Sequence, residues 1–250
     1  MNAVQDNSFT SSLAAWGNRL PRPRAIMVIS AHWLTSGTFV ACMERPRTIH
    51  DFYGFPDELY DITYPSPGAP EAARLATAVV RTTPIACDND WGLDHASWAA
   101  LKHLYPRAEV PVFELSLDYS FNDWRPKPPQ YHYDLAAELA ELRTRGVLII
   151  GSGNIVHNLS LIDFGNVDAE PFAWALEFDE RVKGNLLSGD HRDLIQFREI
   201  GRSAALAVPT LDHYLPMIYV MAMQQEREPL TFTHEGFQYA SVSMRCFQIG

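Results

Sequence analysis

Two short and almost uninterrupted apolar runs constrain the fold of this chain more than any other feature. They cover residues 25–31 and 147–150, and both are rich in Ile and Val. Such runs are typical of strands that are covered on both faces, as in a parallel sheet. Further strand-like segments occur at residues 38–43, 110–117 and 239–249.

Helical patterns separate these strand-like segments. The clearest pattern places Leu135, Leu139 and Leu142 on one face and ends at Gly146, a residue typical of helix C-termini. Another begins with a proline, which favours the first turn of a helix. The segments that we predict to be helical are residues 9–20, 70–80, 131–145 and 172–187.

Strands that alternate with helices predict an α/β fold with a central, mainly parallel sheet flanked by helices. Two proline-rich loops interrupt the pattern, at residues 65–70 and 126–129. Neither is long enough for a domain linker, and the chain has no internal repeat. We therefore expect a single domain over residues 1–250.

Charge and apolar patterning restrict the partners of this protein. Acidic residues outnumber basic residues by 30 to 20, which gives a formal net charge of −10. A surface of that sign repels a phosphate backbone, so we expect no nucleic acid partner. The longest apolar stretches, residues 25–31 and 214–223, are too short to span a bilayer, and the N-terminus has no signal-peptide pattern. The sequence predicts a cytoplasmic protein that does not bind membranes.

The cysteines do not indicate a metal or redox motif. Cys42, Cys87 and Cys246 are odd in number, far apart and without a Cys-x-x-Cys pair. We therefore expect three reduced and mostly packed thiols.

Four of the nine histidines lie where an α/β protein usually places its chemistry. His32 directly follows the first apolar run and His157 comes shortly after the second. The carboxyl ends of strands are where ligands gather in open α/β sheets, so these two are expected to share a crevice. His95 and His213 each follow an aspartate in a loop.

Taken alone, His95 or His213 is better explained as a hydrogen-bonded partner of its aspartate in a loop, and His32 alone could be a hydrogen-bonded core residue at a strand end. Together they favour a shared metal or acid–base site, since neutral imidazole is the commonest metal ligand. The aromatic segment around His50 could line a pocket for a flat substrate or simply pack on the core. Motifs of dehydrogenases, α/β-hydrolases, zincins and P-loop NTPases are absent from the sequence.

At these same residues the chain resembles the class III extradiol ring-cleaving dioxygenases, in particular the 4,5-DOPA extradiol dioxygenase branch. The matching segments follow the family's order and cover nearly the whole chain. They are residues 20–33, 48–52, 59–61, 64–65, 91–95, 151–158 and 212–216.

The resemblance implies an enzyme that inserts both atoms of O2 next to the hydroxyl pair of a catechol such as DOPA, at a mononuclear non-haem metal. Fe(II) would serve catalysis, and Zn(II) is a plausible bound metal. By motif, His32 and His213 are expected to be metal ligands. His157 is expected to be the active-site base and to bind zinc in a resting state, and His95 a second acid–base or substrate-orienting group. We expect a monomer or small homo-oligomer.

One departure from the family concerns the N-terminus. Family members begin with a strand that ends in a His-Gly-Ser-Pro motif, whose histidine is a metal ligand, and this chain starts immediately after that point. We expect either an upstream start or a shortened form that lacks this ligand and strand. The alternatives to an active dioxygenase are therefore a catalytically impaired member that binds aromatics or metal weakly, or a zinc-dependent hydrolase that uses the same histidines.

Overall fold

The computed structural model describes residues 2–120 and 125–250. These residues form two compact units. The first comprises Met1–Lys127 and Glu138–Ser152, and the second comprises Pro128–Ala137 and Gly153–Gly250.

The first unit is built on one sheet. Its strands are β1 (Ala25–Thr35), β2 (Thr38–Ala41), β3 (Ile85–Asp88), β4 (Val112–Ser120), β5 (Arg125–Pro126) and β6 (Val147–Ser152). Their order is β3-β2-β4-β1-β6, and β5 pairs with β4 outside this path. Strand β1 runs parallel to β4 and to β6, β2 runs parallel to β3, and only the β2–β4 and β4–β5 pairs are antiparallel. The predicted α/β class with a central, mainly parallel sheet is confirmed.

The apolar run at residues 25–31 is almost uninterrupted because β1 is a central strand that is covered on both faces. Ile26, Met27, Val28 and Ile29 have no exposed surface. The strand extends to Thr35, so it does not end before the histidine as expected. Its register against β4 shifts between Ile29 and Leu34.

Six helices lie within the described residues before residue 153, and the fifth of them begins in the second unit. They are α1 (Ser8–Gly17), α2 (Asp57–Tyr60), α3 (Pro70–Val79), α4 (His95–Leu104), α5 (Pro129–Leu139) and α6 (Glu141–Thr144). The predicted helix at residues 131–145 is thus two helices, and Gly146, with φ of 81°, ends the second. Asn7 caps α1 by accepting a hydrogen bond from the backbone N–H of Thr10.

The structure contradicts the expectation of three reduced thiols. Cys42 and Cys87 form a disulfide with a Cα–Cα distance of 5.5 Å. In the β2–β3 register Val40 pairs with Cys87, and the backbone N–H of Cys42 donates to the carbonyl oxygen of Asp88 at 2.7 Å. Strand pairing therefore brings the two side chains together although they are 45 residues apart in sequence. Cys246 keeps its free thiol.

The second unit is mainly helical and carries two small antiparallel pairs of strands. Its helices are α7 (Ala173–Ser188), α8 (His191–Ile195), α9 (Arg202–Ala207) and α10 (Leu215–Ala222), with 3-10 turns at Leu159–Leu161 and Phe197–Ile200. Its strands are β7 (Leu230–His234), β8 (Phe237–Gln238), β9 (Val242–Ser243) and β10 (Cys246–Ile249). Strand β7 pairs with β10, and β8 pairs with β9.

Aromatic packing forms the core of the second unit. Phe178, Phe197 and Tyr214 are almost completely buried, and the rings of Phe197 and Tyr214 lie 4.6 Å apart. The predicted strand at residues 239–249 is divided into β9 and β10, and the buried Arg245 between them forms an ion pair with Asp179. Within residues 2–120 and 125–250, no helix combines the length and apolar character that a membrane span requires.

Candidate functional site

A carboxylate joins two of the predicted site histidines in the first unit. Oδ2 of Asp51 lies 3.1 Å from Nδ1 of His32 and 2.9 Å from Nδ1 of His95. The two imidazole rings meet edge to face with centroids 4.1 Å apart. One ligand atom from each residue lies within 4.8 Å of the others, so this trio is a candidate metal-binding group.

Local backbone structure fixes both histidines of this trio. His32 lies near the end of β1, where its backbone N–H donates to Oγ of Ser30 at 3.0 Å. His95 is the first residue of α4, whose N-terminus is capped by the side chain of Asp94. The backbone N–H of His95 also donates to Oδ1 of Asp51 at 2.8 Å. The carboxylate of Asp51 thus orients both His32, near the end of β1, and His95, at the start of α4.

Two further carboxyl groups are buried beneath this trio. Asp94 accepts a hydrogen bond from Oγ of Ser30 at 2.5 Å, and its backbone N–H donates to Oε1 of Glu114 at 2.8 Å. Nε1 of Trp91 donates to Oε2 of Glu114 at 2.9 Å. Burial raises the pKa of Asp94 and raises the pKa of Glu114 well above its ordinary value. Their hydrogen bonds hold in place the segment that directly precedes His95.

The Asp51 carboxylate is stabilised in its ionised form. Burial by itself would raise the pKa of Asp51, but the hydrogen bonds from His32 and His95 outweigh burial and hold that pKa well below its usual range. The trio therefore carries a negative charge that faces two imidazoles. Such an arrangement can hold a divalent cation or orient imidazoles that do so.

Aromatic side chains surround one side of the trio. The ring of Phe52 lies 5.4 Å from His95 and 5.0 Å from Tyr60, both between centroids. His50 belongs to the same cluster, and its Nε2 lies 3.0 Å from the carbonyl oxygen of Ile62. Tyr53 is 92% exposed, so this segment presents aromatic surface to solvent as well as to the core.

The other two predicted histidines meet in the second unit. The rings of His157 and His213 are stacked, with centroids 3.5 Å apart and planes 10° from parallel. Nδ1 of His213 lies 3.2 Å from Oδ1 of Asn154, and Nε2 of His213 lies 3.7 Å from Oδ2 of Asp212. The backbone N–H of His157 donates to the carbonyl oxygen of Ala207 at 2.9 Å.

A glycine allows this close approach of two loops. A Cβ on Gly153 would lie 2.3 Å from the carbonyl oxygen of His213, so no larger residue fits there without displacement. The backbone N–H of the next residue, Asn154, donates to that same carbonyl oxygen at 2.9 Å. Gly153 thus serves backbone packing against the His213 loop.

The structure therefore brings His32 together with His95, and His157 together with His213. That the four share one site stays a prediction. Sequence reasoning missed Asp51 and Asn154. Both lie inside segments that carry the family resemblance, and this location is the only feature of the sequence that could have pointed to them.

Comparisons with known proteins agree with this chemistry. A family model described as the catalytic LigB subunit of aromatic ring-opening dioxygenase matches residues 2–245. A 4,5-DOPA dioxygenase extradiol from Escherichia coli (strain K12) is 41% identical over 254 residues, covering 100% of this chain and 91% of that protein. A protein of the same name from Mirabilis jalapa is 36% identical over 200 residues, covering 79% and 72% of the two chains.

A solved structure is also similar. The crystal structure of an uncharacterized protein from Escherichia coli K12 matches with a TM-score of 0.84 and 37% sequence identity. The match covers 99% of this chain and 94% of the other.

Proposed function

The chain belongs to the LigB family of aromatic ring-opening dioxygenases, and on that premise we propose that it cleaves a DOPA-like catechol at a mononuclear non-haem iron held by histidines. It is an extradiol ring-opening dioxygenase, so its substrates are O2 and a small aromatic molecule. The observation that carries the proposal is the pairing of His157 with His213 and of His32 with His95, each pair with an oriented polar neighbour.

The substrate class rests on two observations. The relatives that match over most of this chain carry the name 4,5-DOPA dioxygenase extradiol. The aromatic cluster of Phe52 and Tyr60 beside His95 offers ring faces against which a flat dihydroxyphenyl group can stack.

The donor set suits the proposed metal. Imidazole nitrogens bind both Fe(II) and Zn(II). We assign ligation of either metal to His32 and His213, and ligation of zinc in a resting state to His157 as well. Bound Fe(II) would act as a Lewis acid and as a template that holds catechol and O2 together. Asp51 accepts at Nδ1 of His32, which leaves Nε2 as the nitrogen with the lone pair for a metal.

The remaining roles concern protons. His157 would accept the proton of a catechol hydroxyl and return it during ring opening, as a neutral imidazole can do near pH 7. The backbone N–H of His157 donates a hydrogen bond to the carbonyl oxygen of Ala207, and its ring stacks on His213. These two contacts fix the position of His157. His95, oriented by Asp51, would be a second acid–base or substrate-orienting group.

His157→Ala tests the proton-transfer role. We expect oxygen uptake with L-DOPA to fall by about 100-fold to 10,000-fold, the range typical of a lost general base. His191→Ala is the matched control, because His191 lies in the same unit and contacts Tyr133 and Gln224 instead of another site histidine. Full ring-cleaving turnover in Fe(II)-loaded His157→Ala would contradict the assignment.

A further inference from the structure

We propose that Asn154 is a positioning residue that fixes the tautomer of His213 and so presents Nε2 of that ring to a metal. The inference rests on the metal role of His213 in the proposed function and extends it to a residue that does not itself bind the metal. It follows from a chain of hydrogen bonds in the second unit.

The side-chain amide of Asn154 can have only one orientation. One of its terminal atoms lies 2.8 Å from the carbonyl oxygen of Ser243, and the other lies 3.2 Å from Nδ1 of His213. A backbone carbonyl accepts hydrogen bonds and never donates them, so the amide NH2 must face Ser243. Oδ1 must therefore face His213.

The orientation of the amide decides where the imidazole proton lies. An amide oxygen only accepts hydrogen bonds, so Nδ1 of His213 has to be the donor. In the neutral ring, a proton on Nδ1 leaves the lone pair on Nε2, the form that binds a metal. Oδ2 of Asp212 lies 3.7 Å from Nε2, which is longer than a hydrogen bond, so this carboxylate does not compete with the Nδ1-protonated form.

The acceptor that orients Asn154 is itself held in place. The backbone N–H of Ser243 donates to the carbonyl oxygen of Val156 at 3.0 Å, and Oγ of Ser243 donates to Oδ1 of Asp179 at 2.6 Å. Asp179 is buried and paired with the guanidinium of Arg245. The buried ion pair, Ser243 and Asn154 thus form one connected support that ends at the His213 ring.

Backbone packing removes the remaining freedom of Asn154. Its own N–H donates to the carbonyl oxygen of His213 at 2.9 Å, and the adjacent Gly153 approaches that carbonyl so closely that no Cβ fits. Asn154 therefore contacts the His213 loop through both its backbone and its side chain. Support of this kind typically changes metal affinity by about 10-fold to 100-fold when it is lost.

The test measures the tautomer and the metal affinity separately. Protein labelled with 15N at histidine, in its metal-free form, is studied by long-range 1H–15N correlation, and the His213 signals are assigned with His213→Ala. We expect wild-type His213 to carry its proton on Nδ1. In Asn154→Ala we expect a shift toward the Nε2-protonated form and zinc binding that is about 10-fold to 100-fold weaker.

Two further variants distinguish loss of the hydrogen bond between Asn154 and His213 from a general structural effect of the substitution. Asn158→Ala removes a buried asparagine of the same segment, which donates to the carbonyl oxygen of Leu206 at 2.7 Å, and should leave the His213 tautomer and the zinc affinity unchanged. Asn154→Asp keeps an acceptor for Nδ1 and should retain Nδ1 protonation even if the link to Ser243 is lost.

Three results would overturn the inference: a wild-type His213 protonated on Nε2, an unchanged His213 tautomer in Asn154→Ala, or a changed tautomer in Asn154→Ala with unchanged zinc affinity. A failure of the proposed function gives a different pattern. In that case His213→Ala would itself bind zinc as tightly as the wild type.

Discussion

Two polar residues orient three of the four predicted histidines by the same physical device. Asp51 accepts a hydrogen bond from Nδ1 of His32 and from Nδ1 of His95, and Asn154 accepts one from Nδ1 of His213. An acceptor at one ring nitrogen determines which nitrogen can bind a metal or take a proton. The histidines could be found from sequence because strand ends and Asp-His pairs are visible there. Their orienting partners could not, since any nearby polar side chain could have served.

Asp51→Asn tests whether one carboxylate serves two imidazoles. The carboxylate accepts from both imidazoles through Oδ2 and from the backbone N–H of His95 through Oδ1, whereas an amide has one acceptor oxygen and would place an NH2 donor against one of these donors. We expect kcat/KM for the catechol to fall by about 10-fold to 100-fold. Asp90→Asn, at an exposed position, is the control and should behave as the wild type. Unaltered kinetics in Asp51→Asn would remove this residue from the site.

Cys246 should resist thiol reagents in the folded protein. Burial raises its pKa to about 12, so near pH 8 about one thiol in ten thousand is ionised, and the thiolate is the reactive form. We expect slow labelling by a disulfide reagent at pH 8, faster labelling as the pH rises, and rapid labelling after denaturation. Fast labelling of native protein at pH 8 would show that the thiol is accessible and ionised.

At the scale of elements, the sequence predicted the strands and helices better than their pairing. The apolar runs marked β1 and β6 because burial on both faces leaves a direct trace in the residues. Strand order leaves no such trace, and the neighbouring positions of Cys42 and Cys87 follow from the β2–β3 register alone. The division of residues 131–145 and 239–249 into two elements each was also not foreseeable, because it depends on tertiary contacts such as that of Arg245 with Asp179.

The disulfide determines how many thiols can be alkylated before and after reduction. Alkylation of protein denatured without reductant, followed by intact-mass measurement, should modify one thiol, and prior reduction should raise that number to three. The sequence-based expectation was three thiols without reduction. Three modified thiols in unreduced protein, prepared without exposure to reductant, would support that earlier expectation over the disulfide.

Gly153→Ala tests the close contact of the two loops that carry His157 and His213. The new Cβ would lie 2.3 Å from a backbone oxygen, so we expect the free energy of unfolding in urea to fall by about 1–3 kcal/mol. Gly184→Ala is a matched control inside α7, where a Cβ meets no atom within 4 Å. Better helix propensity should make that variant more stable by about 0.5–1 kcal/mol. Equal effects of the two substitutions would contradict the packing described for Gly153.

At the scale of the whole molecule, the α/β class was predictable because periodicity encodes it directly. Family membership was predictable because the motifs are distributed along nearly the full chain. The metal ligation of His32, His157 and His213, in contrast, stays a prediction. It bears on the central claim, which is ring opening of a catechol by O2.

The most direct test of that claim is the fate of oxygen in one turnover. The protein is loaded with Fe(II) without air and then given L-DOPA and 18O2, and the product is examined by mass spectrometry. We predict one O2 consumed per L-DOPA and a ring-opened product that contains both labelled atoms. A ring-opened product without label, or turnover in the absence of O2 as a zinc hydrolase would show, would contradict the account.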